Sequence, residues 1–179
     1  VLELLDEFED SFYVCQHDNP DNTLSHARGP ADELWRQTDG EIAAFVAGLG
    51  TCGTLSGVSG TLRDKGANVR IVGVEPAEAP YFRTGHFEPH PIPGVVPGFT
   101  PQNYDPSLVD EIVDVPGDAA YASAAELAES EGILVGISSA ATAWTAREIA
   151  CRPEFENKLV VAVIADSGER YLSTAGYLE

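Results

Sequence analysis

Basic residues are scarce in this chain: 10 Lys plus Arg stand against 29 Asp plus Glu, for a formal net charge of -19 over 179 residues. Only two of them, Lys65 and Lys158, are lysines. Such a field repels phosphodiester backbones and anionic bilayers, so neither nucleic acid nor a membrane surface is an expected partner. The acid is spread through LDEFED, DELW, EIVDV and AELAESE rather than gathered in a tail. That pattern resembles protein surfaces from salt-rich cytoplasm, where dissolved cations screen self-repulsion. Methionine is absent and the chain opens on Val1, which is therefore not expected to be a native start. Cys15, Cys52 and Cys151 are odd in number and lack C-x-x-C spacing. Neither a disulfide framework nor a zinc knuckle is predicted, and the expected location is a reducing cytoplasm. No apolar run approaches a bilayer-spanning length, and the acidic opening VLELLDEFED lacks the positive region of an export signal. His86 and His90 are separated by Pro89 in a proline-rich stretch, so no shared helical face and no metal site are predicted.

What is present suffices for one folded domain, with 44% apolar and 8% aromatic residues. Leu2, Leu4, Leu5 and Phe8 fit a short amphipathic helix, and Phe12-Tyr13-Val14-Cys15 reads as a brief strand. The stretch QHDNPDNTLSHARGP is dense in turn formers and reads as a loop, followed by a helix from Pro30 that stops near Gly40. Ile42 to Ala47 is a short apolar run, as a strand covered on both faces should be. A glycine-rich loop follows, then a helix to about Lys65 with Gly66 as its stop, then a strand over Val69 to Val74. Between Ala77 and Ser107 lies a long Pro/Gly-rich connection, a length that usually carries a function or a flap. Glu111 to Val115 reads as a strand and Asp118 to Glu129 as a helix. Ser138-Ser139 is placed to cap a helix running to about Ala150, and Leu159 to Ala165 is the most strand-like run of all. This order predicts an α/β fold, a parallel sheet with helices on both faces.

The glycine-rich loop is GLGTCGTLSG, with Gly48, Gly50 and Gly53 spaced as G-x-G-x-x-G. A strand-loop-helix unit aims the first N–H groups of the helix, and the positive end of its dipole, at one spot beyond the sheet, where anions bind. Three readings stay open on spacing alone. A dinucleotide would use the three glycines and place its ribose hydroxyls on Glu75, at the end of the next strand. A single phosphate would sit in a cup made by Gly50 to Thr54 with the hydroxyls of Thr51 and Thr54. A bare turn between strand and helix would hold nothing.

This loop and three further stretches decide among them by resemblance. GLGTCGTLSGV, HPIPGVVPGF, SEGILVGISSAA and ADSGERYLST, in this order and at these separations, resemble the second half of cysteine synthase (O-acetylserine sulfhydrylase). That family belongs to the fold type II enzymes that use pyridoxal 5'-phosphate. QHDNPDN and GPADELWRQTDG match the stretch before the family's glycine loop, so the resemblance covers nearly the whole chain. It implies a remnant of the smaller N-terminal domain at residues 1–22, and a phosphate-binding large domain at 23–179 that lacks its first strands.

The resemblance also assigns residues. Gly50, Thr51, Cys52, Gly53 and Thr54 take the place of the loop holding the cofactor phosphate, with Cys52 where the family has glycine. A thiol side chain is expected to be tolerated there only if the backbone keeps a negative φ. A packed thiol is favoured over a reactive one. Ser138 takes the place of the serine facing the pyridine nitrogen. A neutral hydroxyl there leaves the ring unprotonated, which suits β-elimination. Gly94 matches a glycine on the substrate side of the cofactor, near which Pro93 and Val96 depart from the family pattern and put loop closure in question. Gln16 aligns with a glutamine that helps bind the substrate carboxylate. Asp166-Ser167-Gly168-Glu169-Arg170 is expected to form a structural turn with an ion pair.

The implied reaction is replacement of the acetoxy group of O-acetylserine by sulfide, giving cysteine and acetate, on a small amino-acid substrate. The family's cofactor lysine and its asparagine loop have no counterpart here, so no catalytic residue is assigned and the chain alone is expected to be inactive. A homodimer or association with the missing half is expected. A NAD-type dinucleotide module and a non-catalytic partner subunit of a complete cysteine synthase are the alternatives.

Overall fold

The structure is a computed structural model and describes residues 1–178, leaving aside the side chain of Leu2. Its helices are Leu2–Glu7 (α1), Pro20–Arg28 (α2), Pro30–Gln37 (α3), Gly53–Asp64 (α4), Tyr81–Thr84 (α5), Gly117–Glu131 (α6) and Ile137–Ala150 (α7). Strands Ala44–Gly48 (β1), Arg70–Pro76 (β2), Glu111–Val115 (β3) and Val160–Ala162 (β4) form one sheet ordered β3-β2-β1-β4. Every pairing in it is parallel.

Alternation along the central strands builds two cores. Ala44, Val46, Val72 and Val74 face one way and pack with Ala120 and Ala124 of α6 and Ala140 and Ala141 of α7. Phe45, Ala47 and Ile71 face the other way and pack with Leu55, Val58 and Leu62 of α4. Burying each large apolar side chain contributes about 1.5–3 kcal/mol, so a strand covered on both faces carries twice the yield of a one-sided one. The α/β architecture and its parallel sheet with helices on both faces are thus as expected.

Three segments differ from the sequence reading. The stretch taken as a loop from Gln16 to Pro30 contains α2, because Asn19 and Pro20 start a helix instead of turning the chain. Asn19 accepts the Asp21 N–H at 2.9 Å and Pro20 occupies the first helical position, where its missing N–H costs nothing. The expected boundary at residue 22 falls inside this helix. Phe12 to Cys15 has no strand partner, and Phe12 is 86% exposed. From Leu159 to Ala165 only Val160–Ala162 pairs, as Val160, Val161 and Ala162 lie opposite Ala44, Phe45 and Val46. Beyond that point the chain is drawn to α7: Thr142 Oγ1 donates to the Val163 carbonyl at 2.7 Å, and Ser139 Oγ accepts the Ala165 N–H at 3.0 Å.

Helix α2 lies close against α4 through Gly57, where an added Cβ would run into the Thr23 carbonyl oxygen. Gly57→Ala is therefore expected to destabilise the fold by about 1–3 kcal/mol through overpacking, although alanine is the better helix former. Urea unfolding of both forms checks this. At the far edge of the sheet Arg152 grips Glu111 with two nitrogens, at 2.7 and 2.8 Å. That grip holds the Glu111 carboxyl below the usual glutamate range. A depressed carboxylate stabilises the fold above its unfolded pKa and loses that contribution as pH falls through the folded value. Glu111→Gln is expected to cost about 0.2–1 kcal/mol at pH 7, as partly exposed pairs do. The difference from the parent should vanish in acid, as denaturation at a series of pH values will read.

Candidate cofactor site

The end of β1, the turn before α4 and the start of α7 meet at the carboxyl ends of the strands, where open parallel sheets bind ligands. The turn is shaped by Cys52, which enters α4 with φ 62° and ψ 1°. This left-handed residue ahead of right-handed helix curls successive N–H groups into a concave, anion-seeking array. Among the described residues the backbone N–H groups of Thr51, Cys52 and Thr54 find no acceptor in the chain, and that of Gly53 is met only by Thr51 Oγ1 at 3.4 Å. The condition set for tolerating a thiol side chain here, a negative φ, is therefore not met: the concavity requires a positive one. A cysteine held there costs about 1–2 kcal/mol that glycine would not.

Gly94 bridges this turn to Ser138. A Cβ added at Gly50 would lie 2.7 Å from the Gly94 carbonyl oxygen, so the two backbones touch. On its other side, a Cβ added at Gly94, which has φ 92°, would lie 3.4 Å from Ser138 Oγ. Gly50, Thr51, Thr54, Gly94 and Ser138 line one cavity of about 180 Å³. Ligand sites usually enclose roughly 300–1,000 Å³, so this has the size of one wall of a cleft. A larger, polar depression of about 950 Å³ lies at the opposite ends of the strands, between Glu41, Arg70 and Lys158. It has no loop-helix amide array, and the smaller cavity is the candidate site.

Ser138 was expected to cap α7. Gly136 holds that position instead, and no side chain caps the helix. The neighbouring Ser139 takes the structural work: its Oγ donates to Asp166 Oδ1 at 2.7 Å and accepts the Asp166 N–H at 3.2 Å. Among the described residues Ser138 Oγ has no hydrogen-bond partner, which leaves it available to the cavity. Asp166 also accepts from Tyr171 at 2.8 Å. Burial first, and then this bond, push the Tyr171 hydroxyl up to about 12. The D-S-G-E-R turn is thus held by hydrogen bonds to Ser139 and Tyr171. The ion pair expected within it is not formed among the described residues.

Gln16 is exposed, and its carbonyl accepts Asn22 Nδ2 at 2.7 Å and Asn103 Nδ2 at 3.0 Å. Asn22 Nδ2 also lies 3.1 Å from Thr51 Oγ1. The same amide therefore ties the Gln16 turn to the glycine loop. Val96 stands at φ 49°, an unusual conformation for a β-branched residue, and its N–H donates to Leu49 at 2.8 Å. Glu75 does not wait for a ribose. It is fully buried and accepts the N–H groups of Phe82 at 2.7 Å and Arg83 at 3.3 Å, and burial raises its carboxyl above the usual range.

The matched family model, described as pyridoxal-phosphate dependent enzyme, covers residues 1–166. The chain belongs to the pyridoxal-phosphate dependent enzyme family. It is 41% identical to the cysteine synthase of Haemophilus influenzae over 167 residues, covering 89% of this chain and 53% of that protein. Cysteine synthase A of Escherichia coli is 40% identical over 168 residues, covering 89% and 52%. In structure the chain is similar to O-acetylserine sulfhydrylase isoform 3 of Entamoeba histolytica, with TM-score 0.93 and 36% identity over 99% of this chain and 53% of that one. It is also similar to O-ureido-L-serine synthase, with TM-score 0.91 and 38% identity over 98% of this chain and 55% of that one. The chain spans about half the length of the curated relatives it matches.

Pyridoxal phosphate carries an anionic ester at one end and a nitrogen acceptor in its ring. The cavity is lined at one end by Thr51 and Thr54, whose amides are free, and at the other by Ser138, whose hydroxyl has no partner among the described residues, so the residues present fit the family's cofactor. Sequence reading missed Asn22 and His26, and it gave Ser139 as a helix cap without its bond to Asp166. The G-P and N-P turn signals around the first two masked a helix that faces the loop.

Cys52 is 3% exposed, and desolvation pushes its thiol up to about 12. At pH 8 roughly one such thiol in ten thousand is ionised. Thiol reagents should therefore label exposed Cys151 in the native protein and reach Cys52 only after unfolding. Peptide mapping of the labelled chain checks this.

Proposed function

We propose that this chain supplies the cofactor-phosphate and ring-nitrogen half of a cysteine synthase, an enzyme that replaces the acetoxy group of O-acetylserine with sulfide, releasing acetate. What carries the reading is the single cavity in which the 50–54 turn, Gly94 and Ser138 converge. When bound, pyridoxal phosphate supplies an electron sink for loss of the β-substituent. Thr51, Cys52, Gly53 and Thr54 hold its ester through main-chain amides and two hydroxyls, strengthened by the α4 dipole. Ser138 Oγ donates to the ring nitrogen without bringing a charge. The Gln16 turn, tied to the loop by Asn22, flanks the substrate carboxylate, and Gly94 lines the substrate side.

Neither lysine is placed to hold the cofactor. Lys65 ends α4, about 18 Å of helix away from the turn that begins it, and pairs with Asp32 at 3.0 Å. Lys158 precedes β4, at the opposite ends of the strands from the cavity. The lysine and the rest of the substrate grip belong to the other half of the fold, supplied by the same or a second polypeptide. Half-buried Val161 and Val163, with exposed Ile164, lie at or just past the open side of β4 and offer a surface for that association. Assembly as a homodimer is part of the proposal.

The purified chain should bind pyridoxal phosphate reversibly in equilibrium dialysis, with inorganic phosphate competing. Ser138→Ala should weaken binding about 2- to 10-fold, the worth of one neutral hydrogen bond. The chain alone should show neither the visible absorbance of lysine-linked cofactor nor acetylserine-dependent loss of sulfide. Failure to bind the cofactor, or NAD-dependent thermal stabilisation that requires Glu75, overturns the reading.

A further inference from the structure

Thr54 is a wall between two cavities. One is the site shared with Ser138; the other is an apolar space of about 440 Å³ behind it, lined by Phe45, Val58 and Val161 together with His26 and Glu33. Across this wall His26 Nε2 lies 3.1 Å from Thr54 Oγ1. The other ring nitrogen, Nδ1, is buried and has no partner among the described residues. Where α2 packs on α4, Gly57 faces the Thr23 carbonyl and the Cβ of His26, so the packing contact leaves the imidazole nitrogens to other work.

We propose that His26 is a positioning residue that turns the Thr54 hydroxyl proton into the cup, so that Thr54 donates to the cofactor's anionic ester. The proposal rests on the reading of residues 50–54 as the cup for that ester. Three protonation states of His26 are available, and the structure ranks them. With the proton on Nδ1, Nε2 accepts from Thr54, so the hydroxyl proton points at the histidine and oxygen lone pairs face the anion. That state also leaves a buried N–H without an acceptor, the rarer and costlier kind of orphan. The doubly protonated ring keeps the same orphan and adds a desolvated charge. With the proton on Nε2, the ring donates to Thr54 Oγ1, the hydroxyl proton is free to enter the cup, and Nδ1 is left with only an idle lone pair. Burial lowers the affinity of His26 for a second proton, in keeping with this neutral form. The sealed nitrogen and the anion thus select the same tautomer. The Thr54 hydroxyl is oriented before the ligand arrives.

The test measures binding of pyridoxal phosphate and of inorganic phosphate to the parent chain, His26→Phe, His26→Gln, Thr54→Val and the double variant at one pH. His26→Phe should weaken both ligands about tenfold, the worth of one hydrogen bond to a charged group. His26→Gln, whose amide nitrogen reaches the position of Nε2, should stay within about threefold of the parent. Thr54→Val and the double variant should be equally weak, because the two residues act through one bond. Nitrogen NMR of the parent chain with phosphate bound should place the His26 proton on Nε2, a readout that needs no variant to fold. Equal binding by His26→Phe and the parent, failure of the glutamine rescue, additive losses, or a proton on Nδ1 overturns the proposal. Absence of binding by the parent itself overturns the cup and the proposal together, which separates the two failures.

Discussion

The site depends on two main chains touching without side chains between them. Gly50 and Gly94 meet at a distance that no Cβ permits, and the segment from Gly94 to Val96 is pinned there by the Val96 N–H on the Leu49 carbonyl. This contact fixes the depth of the cup on one side and the place of Ser138 on the other. The sheet beneath supplies the stiffness: β1 is packed on both faces, so the turn leaving it inherits a fixed direction. Function here is a matter of where backbone groups point, and most side chains near the site serve that end.

Much of the architecture was legible because strand periodicity and glycine punctuation are local signals. Glu111–Val115 is observed with the bounds that its pattern implies, and the helix after the glycine loop stops at Gly66 as expected. The errors share a physical origin. Asn19-Pro20 has the composition of a turn, yet the same residues are a helix cap and a first-turn proline, and only the tertiary partner α4 decides between them. Leu159 to Ala165 has uniform β propensity, but a strand lasts as long as its neighbour, and α7 captures the chain through Ser139 and Thr142 after three residues.

At the site, residue types were legible and their conformations were not. A cysteine at position 52 was expected to be tolerated only outside the left-handed region, but the array of amides requires that region and the fold bears the strain. The two serines at 138 and 139 look interchangeable in sequence. The structure separates them, giving Ser139 to Asp166 and leaving Ser138 unengaged. His26 carried no sequence signal at all, since its relation to Thr54 spans 28 positions and exists only once α2 lies on α4.

The open flank of β4 has a colloidal consequence. A strand hydrogen-bonded on one side only is a template for another chain, and Leu159, 44% exposed, and Ile164, 47% exposed, sit at either end of it. Mutual repulsion from a formal charge of -19 opposes the stacking of copies through that flank in dilute buffer. Added electrolyte weakens the repulsion while leaving the sticky strand untouched, so for the isolated polypeptide brine favours clumping rather than dispersal.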